Sequence, residues 1–192
     1  IGEVIYGGVG VGFIGFVMYI ILSMFVAGLM IGRTPEFLGK KLGPYEMTMS
    51  MTALLLPMIA AVLLSAVAVS VSAGLSGLNN PSSHGLSEIL YAYFSCAGNN
   101  GSAMAGLNTN TVFYNLTLSI ALLTGRFATV IPALAIAGSI ASKKTVPQGL
   151  ASFPATGLMF ILIVAGVIVI MGALTFFPVF ALGPLLEHLF LD

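Results

Sequence analysis

The chain has 192 residues, of which 58% are hydrophobic and 6% charged, with a mean hydropathy of +1.10. A soluble domain carries roughly 25% charged residues, so water is not its main solvent. Six basic and six acidic residues cancel to zero net charge. The basic ones form no broad patch, which argues against a nucleic-acid or acidic-surface partner. The single Cys96 has no Cys or His at metal-ligand spacing and reads as a small buried apolar residue.

Four stretches, 4–32, 47–83, 89–125 and 145–186, contain no Lys, Arg, Asp or Glu. Each exceeds the roughly 20 apolar residues that cross a bilayer core, so the expected fold class is an all-α integral membrane protein. The chain opens without Met or a charged leader region, as expected of a cut inside a longer protein. In chain order, the first helix is predicted over 13–32, stopped by Gly32 and Pro35. A polar connector over 33–46 holds Arg33, Lys40 and Lys41. A second helix is predicted over 48–72; it contains Pro57, which membrane helices tolerate because neighbours satisfy the freed carbonyl. The loop 73–85 is rich in Gly, Asn, Pro and Ser.

Segment 86–97 is apolar but too short to span before Gly98-Asn99-Asn100-Gly101-Ser102 interrupts it, which predicts a re-entrant half-helix. A long helix over 111–142 is broken only by Arg126 and Pro132. After a polar break at 143–148, a last helix is predicted over 153–177, followed by a tail, 178–192, with Glu187, His188 and Asp192. Lys40 and Lys41 lie in one connector, Lys143 and Lys144 in the other. If 86–97 is only a half-helix, both connectors fall on one side. The positive-inside rule makes that side cytoplasmic and turns 73–110 and the C-terminus outward.

Helix, half-helix, polar loop and helix is the repeat unit of potassium-channel-like proteins, whose filter carbonyls replace the ion's water shell. Loop 97–106, AGNNGSAMAG, suits this: Gly98, Gly101 and Gly106 give backbone freedom. Asn99, Asn100 and Ser102 offer uncharged oxygens, or hydrogen bonds that brace the loop. The alternative is an ordinary Gly/Asn turn. The run GGVGVG at 7–12 (Gly7, Gly8, Gly10, Gly12) weakens a helix by about 1 kcal/mol per glycine. It fits a flexible loop beside a pore or, equally, close packing through small residues; without a basic P-loop residue it is no nucleotide site. Arg126, mid-way along an apolar helix at a cost of roughly 2.5–3.5 kcal/mol, must face a polar interior, as an electrostatic barrier or an ion-pair partner. Glu88 reads as a first-turn carboxylate favoured by the helix dipole. His84 and His188 read as lone histidines on outer loops. No nucleophile, base and acid set suggests an enzyme.

The phrases AGLMIGRTPEFLGKKLGPYEM, HGLSEILYAYFSCAGNNGSAMAGLNTNT, GRFATVIPALAIAGSIASKK and GALTFFPVFALGPLLEHL, in this order, resemble the C-terminal portion of the A subunit of Kdp-type potassium-transporting ATPases. The resemblance implies a fold of four helix, half-helix and helix repeats around one pore. Residues 1–33 would then end the third repeat, 34–47 form a cytoplasmic connector and 48–142 the fourth repeat, with its filter loop at 98–106. Residues 143–192 would hold a cytoplasmic loop, the final helix and an outward tail. It further implies that Asn99, Asn100, Gly101 and Ser102 form a potassium-selective filter strand with Gly101 its key glycine. Gly7, Gly8, Gly10 and Gly12 would belong to a gating loop beneath the filter, and Arg126 would lie below it near the cavity.

The function so implied is non-catalytic. External potassium is selected and passed through an intramembrane tunnel to the catalytic P-type ATPase subunit of the Kdp complex, with accessory subunits C and F, in a bacterial or archaeal plasma membrane. Potassium is the transported ion and no organic cofactor is expected. The nearest rival is a stand-alone potassium channel or cation symporter of the same superfamily. Three of the four filter strands are missing from this chain, and Gly98 stands where the family pattern suggests another asparagine.

Overall fold

In the computed structural model, residues 7–80, 82–104, 106–145, 155 and 157–189 are described. The chain is predominantly α-helical: α1 Val11–Ile31, α2 Pro44–Ser70, the single turn α3 Ser72–Leu75, α4 Ser83–Ala97, α5 Val112–Ser142 and α6 Leu158–Leu189. The two short strands β1 Glu36–Phe37 and β2 Lys40–Lys41 pair antiparallel in the first connector. Leu38 and Gly39 both have positive φ there, as a two-residue hairpin turn requires. Helices α1, α2 and α5 are each long and apolar enough to cross a membrane. The chain is an all-α, multi-pass membrane protein.

Helix α4 has 15 residues. At 1.5 Å per residue it reaches about 22 Å, short of a ~30 Å hydrocarbon core. It lies between two small-residue stripes, Ala61, Ser65 and Ala68 of α2 and Ala121, Gly125 and Ala128 of α5, all buried. Small residues let backbones approach where lipid offers no hydrophobic drive between helices. Around α4 the core comprises Ile89, Tyr93, Phe94 and Ala97 with Leu107 and Tyr114. A second core gathers Met18, Tyr19, Ile21 and Leu22 of α1 with Leu54, Ile136, Val164 and Ile168. Large apolar residues elsewhere on α2, α5 and α6, such as Leu63, Leu134 and Leu162, point outward, as lipid permits.

The two basic connectors meet. Lys143 Nζ lies 2.7 Å from Glu46 Oε2 and donates to the Lys41 carbonyl at 3.0 Å. Lys40 Nζ donates to the carbonyls of Ile140 (2.6 Å) and Ala141 (3.2 Å) in the last turn of α5, Ile140 also accepting from the Lys143 amide at 3.3 Å. At the opposite face, His84 Nε2 lies 2.8 Å from Glu187 Oε2, joining the start of α4 to the end of α6.

Several sequence expectations shift. Helix α1 begins at Val11, so Gly12 is helical rather than part of a break. The last helix continues past 177 through Pro178 to Leu189, and Glu187 and His188 ride on it instead of a tail; an unbroken helix keeps its backbone satisfied where lipid is the solvent. His84 is in the first turn of α4, not in a loop, and is paired. Glu88 lies one turn further into α4 than expected, because the helix starts at Ser83. Residues 1–6, Pro81, Ala105, 146–154, Thr156 and 190–192, including the expected start of the last helix at 153, lie outside the described residues.

Candidate functional site

The loop after α4 is held from behind by the end of that helix. The amides of Asn100 and Gly101 donate to the Ser95 carbonyl at 2.9 and 3.3 Å, and the Ser102 amide donates to Ser95 Oγ at 2.9 Å. The Asn99 amide donates to the Cys96 carbonyl at 2.9 Å, and Asn99 takes the left-handed conformation, φ 62°. This pairing of the two residues after the cap with the helix's last carbonyls is a Schellman stop, with asparagine in the place glycine usually holds. Gly98 stays right-handed at φ −74°.

Since trans peptides are planar, a carbonyl points opposite to the N–H it shares a plane with. Amides of residues 99–102 all turn towards the end of α4, so the carbonyls of Gly98, Asn99, Asn100 and Gly101 all point away from it. They form a row on one side of the loop. Gly101 has φ +76°, and no heavy atom lies within 4 Å of the position a Cβ would occupy. Asn100, Gly101, Ala103 and Met104 are exposed in this chain.

The lower end of that row is covered by the Gly-rich segment before α1. The Gly8 amide donates to the Gly98 carbonyl at 2.7 Å. A Cβ on Gly7 would lie 2.7 Å from the Gly98 oxygen, and one on Gly8 would lie 2.7 Å from the Asn99 carbonyl carbon. Residues 7–10 are irregular, and Gly7 and Gly8 lie in close backbone contact with Gly98 and Asn99. Gly10 is left-handed at the cap of α1, and Gly12 belongs to the first helical turn, its amide donating to Gly8.

Arg126 meets the same segment from α5: its Nη1 donates to the Val9 carbonyl at 3.2 Å. Its described contact is thus a backbone carbonyl of the Gly-rich segment. The structure brings Gly7, Gly8, Gly10, Arg126, Asn99, Asn100, Gly101 and Ser102 together, and leaves Gly12 in the helix. The Asn99 side chain braces the loop, donating to the carbonyls of Ala97 (3.4 Å) and Leu122 (3.3 Å), and that of Asn100 donates to Gly98 (3.5 Å).

Of the glycines credited with backbone freedom, only Gly101 uses it. Two residues escaped the sequence reading. Ser95, fully buried on α4, carries both anchors of the loop; a serine seven positions before Ser102 in an apolar half-helix was the signal available. Gly125 seats α5 directly on the end of α4, for a Cβ there would lie 2.7 Å from the Ala97 carbonyl carbon. It neighbours Arg126, which drew attention instead. Among the described residues, no group of three or more His, Cys, Asp or Glu is placed to hold a metal ion.

A family model described as the potassium-transporting ATPase A subunit, KdpA, matches residues 1–189. The chain belongs to the KdpA family. It is 53% identical over 189 residues to the potassium-transporting ATPase potassium-binding subunit of Mesorhizobium japonicum, covering 98% of this chain and 33% of that protein. The corresponding subunit of Rhizobium rhizogenes is 52% identical over the same share of each chain. That of Acidobacterium capsulatum is 50% identical over 193 residues, 100% of this chain and 33% of its own length. This KdpA chain thus spans about a third of the length of the curated relatives it matches, and the site just described lies within that third.

Proposed function

We propose that the chain supplies one wall of the ion path in the potassium-binding and translocating subunit of an ATP-driven uptake complex. In this reading, residues 1–33 end the third repeat, 34–47 are a cytoplasmic connector, 48–142 are the fourth repeat and 143–192 complete the membrane domain. Loop 98–106 is its filter strand. The observation that carries the reading is the row of carbonyls of Asn99, Asn100 and Gly101, turned away from α4 by amides bonded to Ser95, next to the Gly98 carbonyl to which the Gly8 amide donates. Such a row replaces the hydration shell of a monovalent cation. The carbonyl end of α4, equivalent to roughly −0.5 of a charge, faces the same loop and favours a cation there.

Gly7, Gly8 and Gly10 lie across the inner end of this row, supporting the gate assignment, and Arg126 anchors them through Val9. A positive charge at this depth deters a cation from passing straight through and favours a diverted route. That route is the intramembrane tunnel to the catalytic P-type ATPase subunit, which hydrolyses ATP, with the accessory subunits C and F alongside. The chain itself does no chemistry on a covalent bond.

The test is potassium-stimulated ATPase activity and rubidium uptake of the complete complex carrying Gly101→Asp. The expected result is a large rise in half-saturating potassium in a complex that still assembles. Unchanged potassium dependence would make 98–106 a mere connector and remove the filter assignment.

A further inference from the structure

Glu88 has no part in the ion path just described, yet it is one of two buried acidic residues among those described, with 4% of its surface exposed. Its Oε1 accepts a hydrogen bond from Asn80 Nδ2 at 2.5 Å. Its Oε2 is buried without a hydrogen-bond partner among the described residues. A buried acceptor left idle costs stability, so such a group calls for a role other than stability. Its surroundings supply one. The carboxyl is pressed against Gly106, at the outer end of loop 98–106: a Cβ there would lie 2.6 Å from Asn80 Nδ2, 2.7 Å from the Glu88 carboxyl carbon, and nearer still to Oε1.

Gly106 also sits in the staple that closes the loop. Its carbonyl accepts from the Asn79 amide at 3.0 Å, the Asn108 amide donates to Gly77 at 2.8 Å, and Leu78 bridges Leu107. The inner end of the loop is fixed by Ser95, and the outer end by this staple resting on Glu88. From Ser102 to Gly106 the chain has at most about 14 Å of reach, so the two anchors lie close together along the loop.

We infer that Glu88 is a positioning residue for the ion site. Its carboxyl, wedged between Asn80 and Gly106, sets how far the outer arm of loop 98–106 stands from α4, and so holds the carbonyl row at a spacing that suits potassium over the smaller sodium ion. The inference rests on the reading of this loop as the filter strand.

The experiment uses the full-length subunit in the complete complex and compares Glu88→Asp, Gly106→Ala and the double variant. Glu88→Asp withdraws the carboxyl by one methylene, and Gly106→Ala pushes a methyl into it. A misplacement of about 1 Å at a reacting site costs up to ~100-fold, so each single variant is expected to raise half-saturating potassium by roughly tenfold. Each should also narrow the ratio of potassium to sodium stimulation, with maximal ATPase rate retained. The double variant should recover most of both, because the shorter side chain vacates the room the added methyl takes. Single variants with unchanged potassium half-saturation and unchanged ion ratio overturn the inference, as does a double variant no better than the worse single. Asn80→Ser, which removes the amide donor, carries the same expectation and decides the matter where a single variant does not assemble. Should Gly101→Asp alter potassium dependence while all of these leave it untouched, the filter reading stands and the role of Glu88 falls.

Discussion

Gly125→Ala adds one methyl group where α5 lies backbone to backbone on the last residue of α4. The new Cβ would overlap the Ala97 carbonyl oxygen and sit 2.7 Å from its carbon, whereas ordinary contact begins at 3.4 Å. The two helices must therefore part by more than about 1 Å, and neither partner is a flexible side chain. Overpacking of this kind costs about 1–3 kcal/mol. Alanine's better helix propensity returns at most about 1 kcal/mol. Net stability should thus fall by up to about 3 kcal/mol, and potassium dependence is read on complex that assembles. The end of α4 carries the loop through Ser95, while the Gly-rich segment is tied to α5 through Arg126. Parting α4 from α5 therefore separates the carbonyl row from its cover. Potassium-stimulated ATPase activity of the assembled complex is expected to show raised half-saturating potassium and residual ATP hydrolysis without potassium. An assembled complex with wild-type potassium dependence would refute the claim that Gly125 sets the seat of the loop.

Lys143→Met removes the partner of a carboxylate whose side chain is 1% exposed. Breaking such a pair costs about 3–5 kcal/mol when both groups are buried. Lys143 is a third exposed, and Glu46 keeps Ser139 and the Gly43 amide, so a loss at the lower end is expected, read as a fall in the complex's melting temperature. Glu46→Gln with Lys143→Met should recover much of it, and a double variant as unstable as Lys143→Met alone would disprove the pairing. Arg126→Gln, which shortens the reach to the Val9 carbonyl, is expected to change maximal transport and its coupling to ATP hydrolysis more than half-saturating potassium. A loss of potassium affinity as large as that of Gly101→Asp would place Arg126 in the ion site itself.

Much of this architecture was legible because the bilayer reduces the choice of structure. Uncharged stretches longer than the hydrocarbon core must be helices, and one too short to cross must turn back. The lysines of the two connectors, read by the positive-inside rule, required those connectors to share a side, and Lys143 on Glu46 joins them physically. The glycines, asparagines and lone arginine named from the sequence were conspicuous against so apolar a background, and all but Gly12 lie around one loop.

Contacts remote in sequence were not legible. Nothing local to Gly8 requires it to donate to Gly98, or to Arg126 that it reach Val9; these contacts exist because the segment before α1 and the end of α4 come together beside α5. The choice of Asn99 over Gly98 as the left-handed residue, the anchoring by Ser95 and the wedge of Glu88 on Gly106 were likewise invisible. Composition and charge, by themselves, determined that this chain lives in a membrane, where it crosses and where it cannot. Which carbonyls turn away from α4, and which side chains hold them there, was decided only by packing, because hydrogen-bond direction at a helix end depends on what the neighbouring backbone occupies.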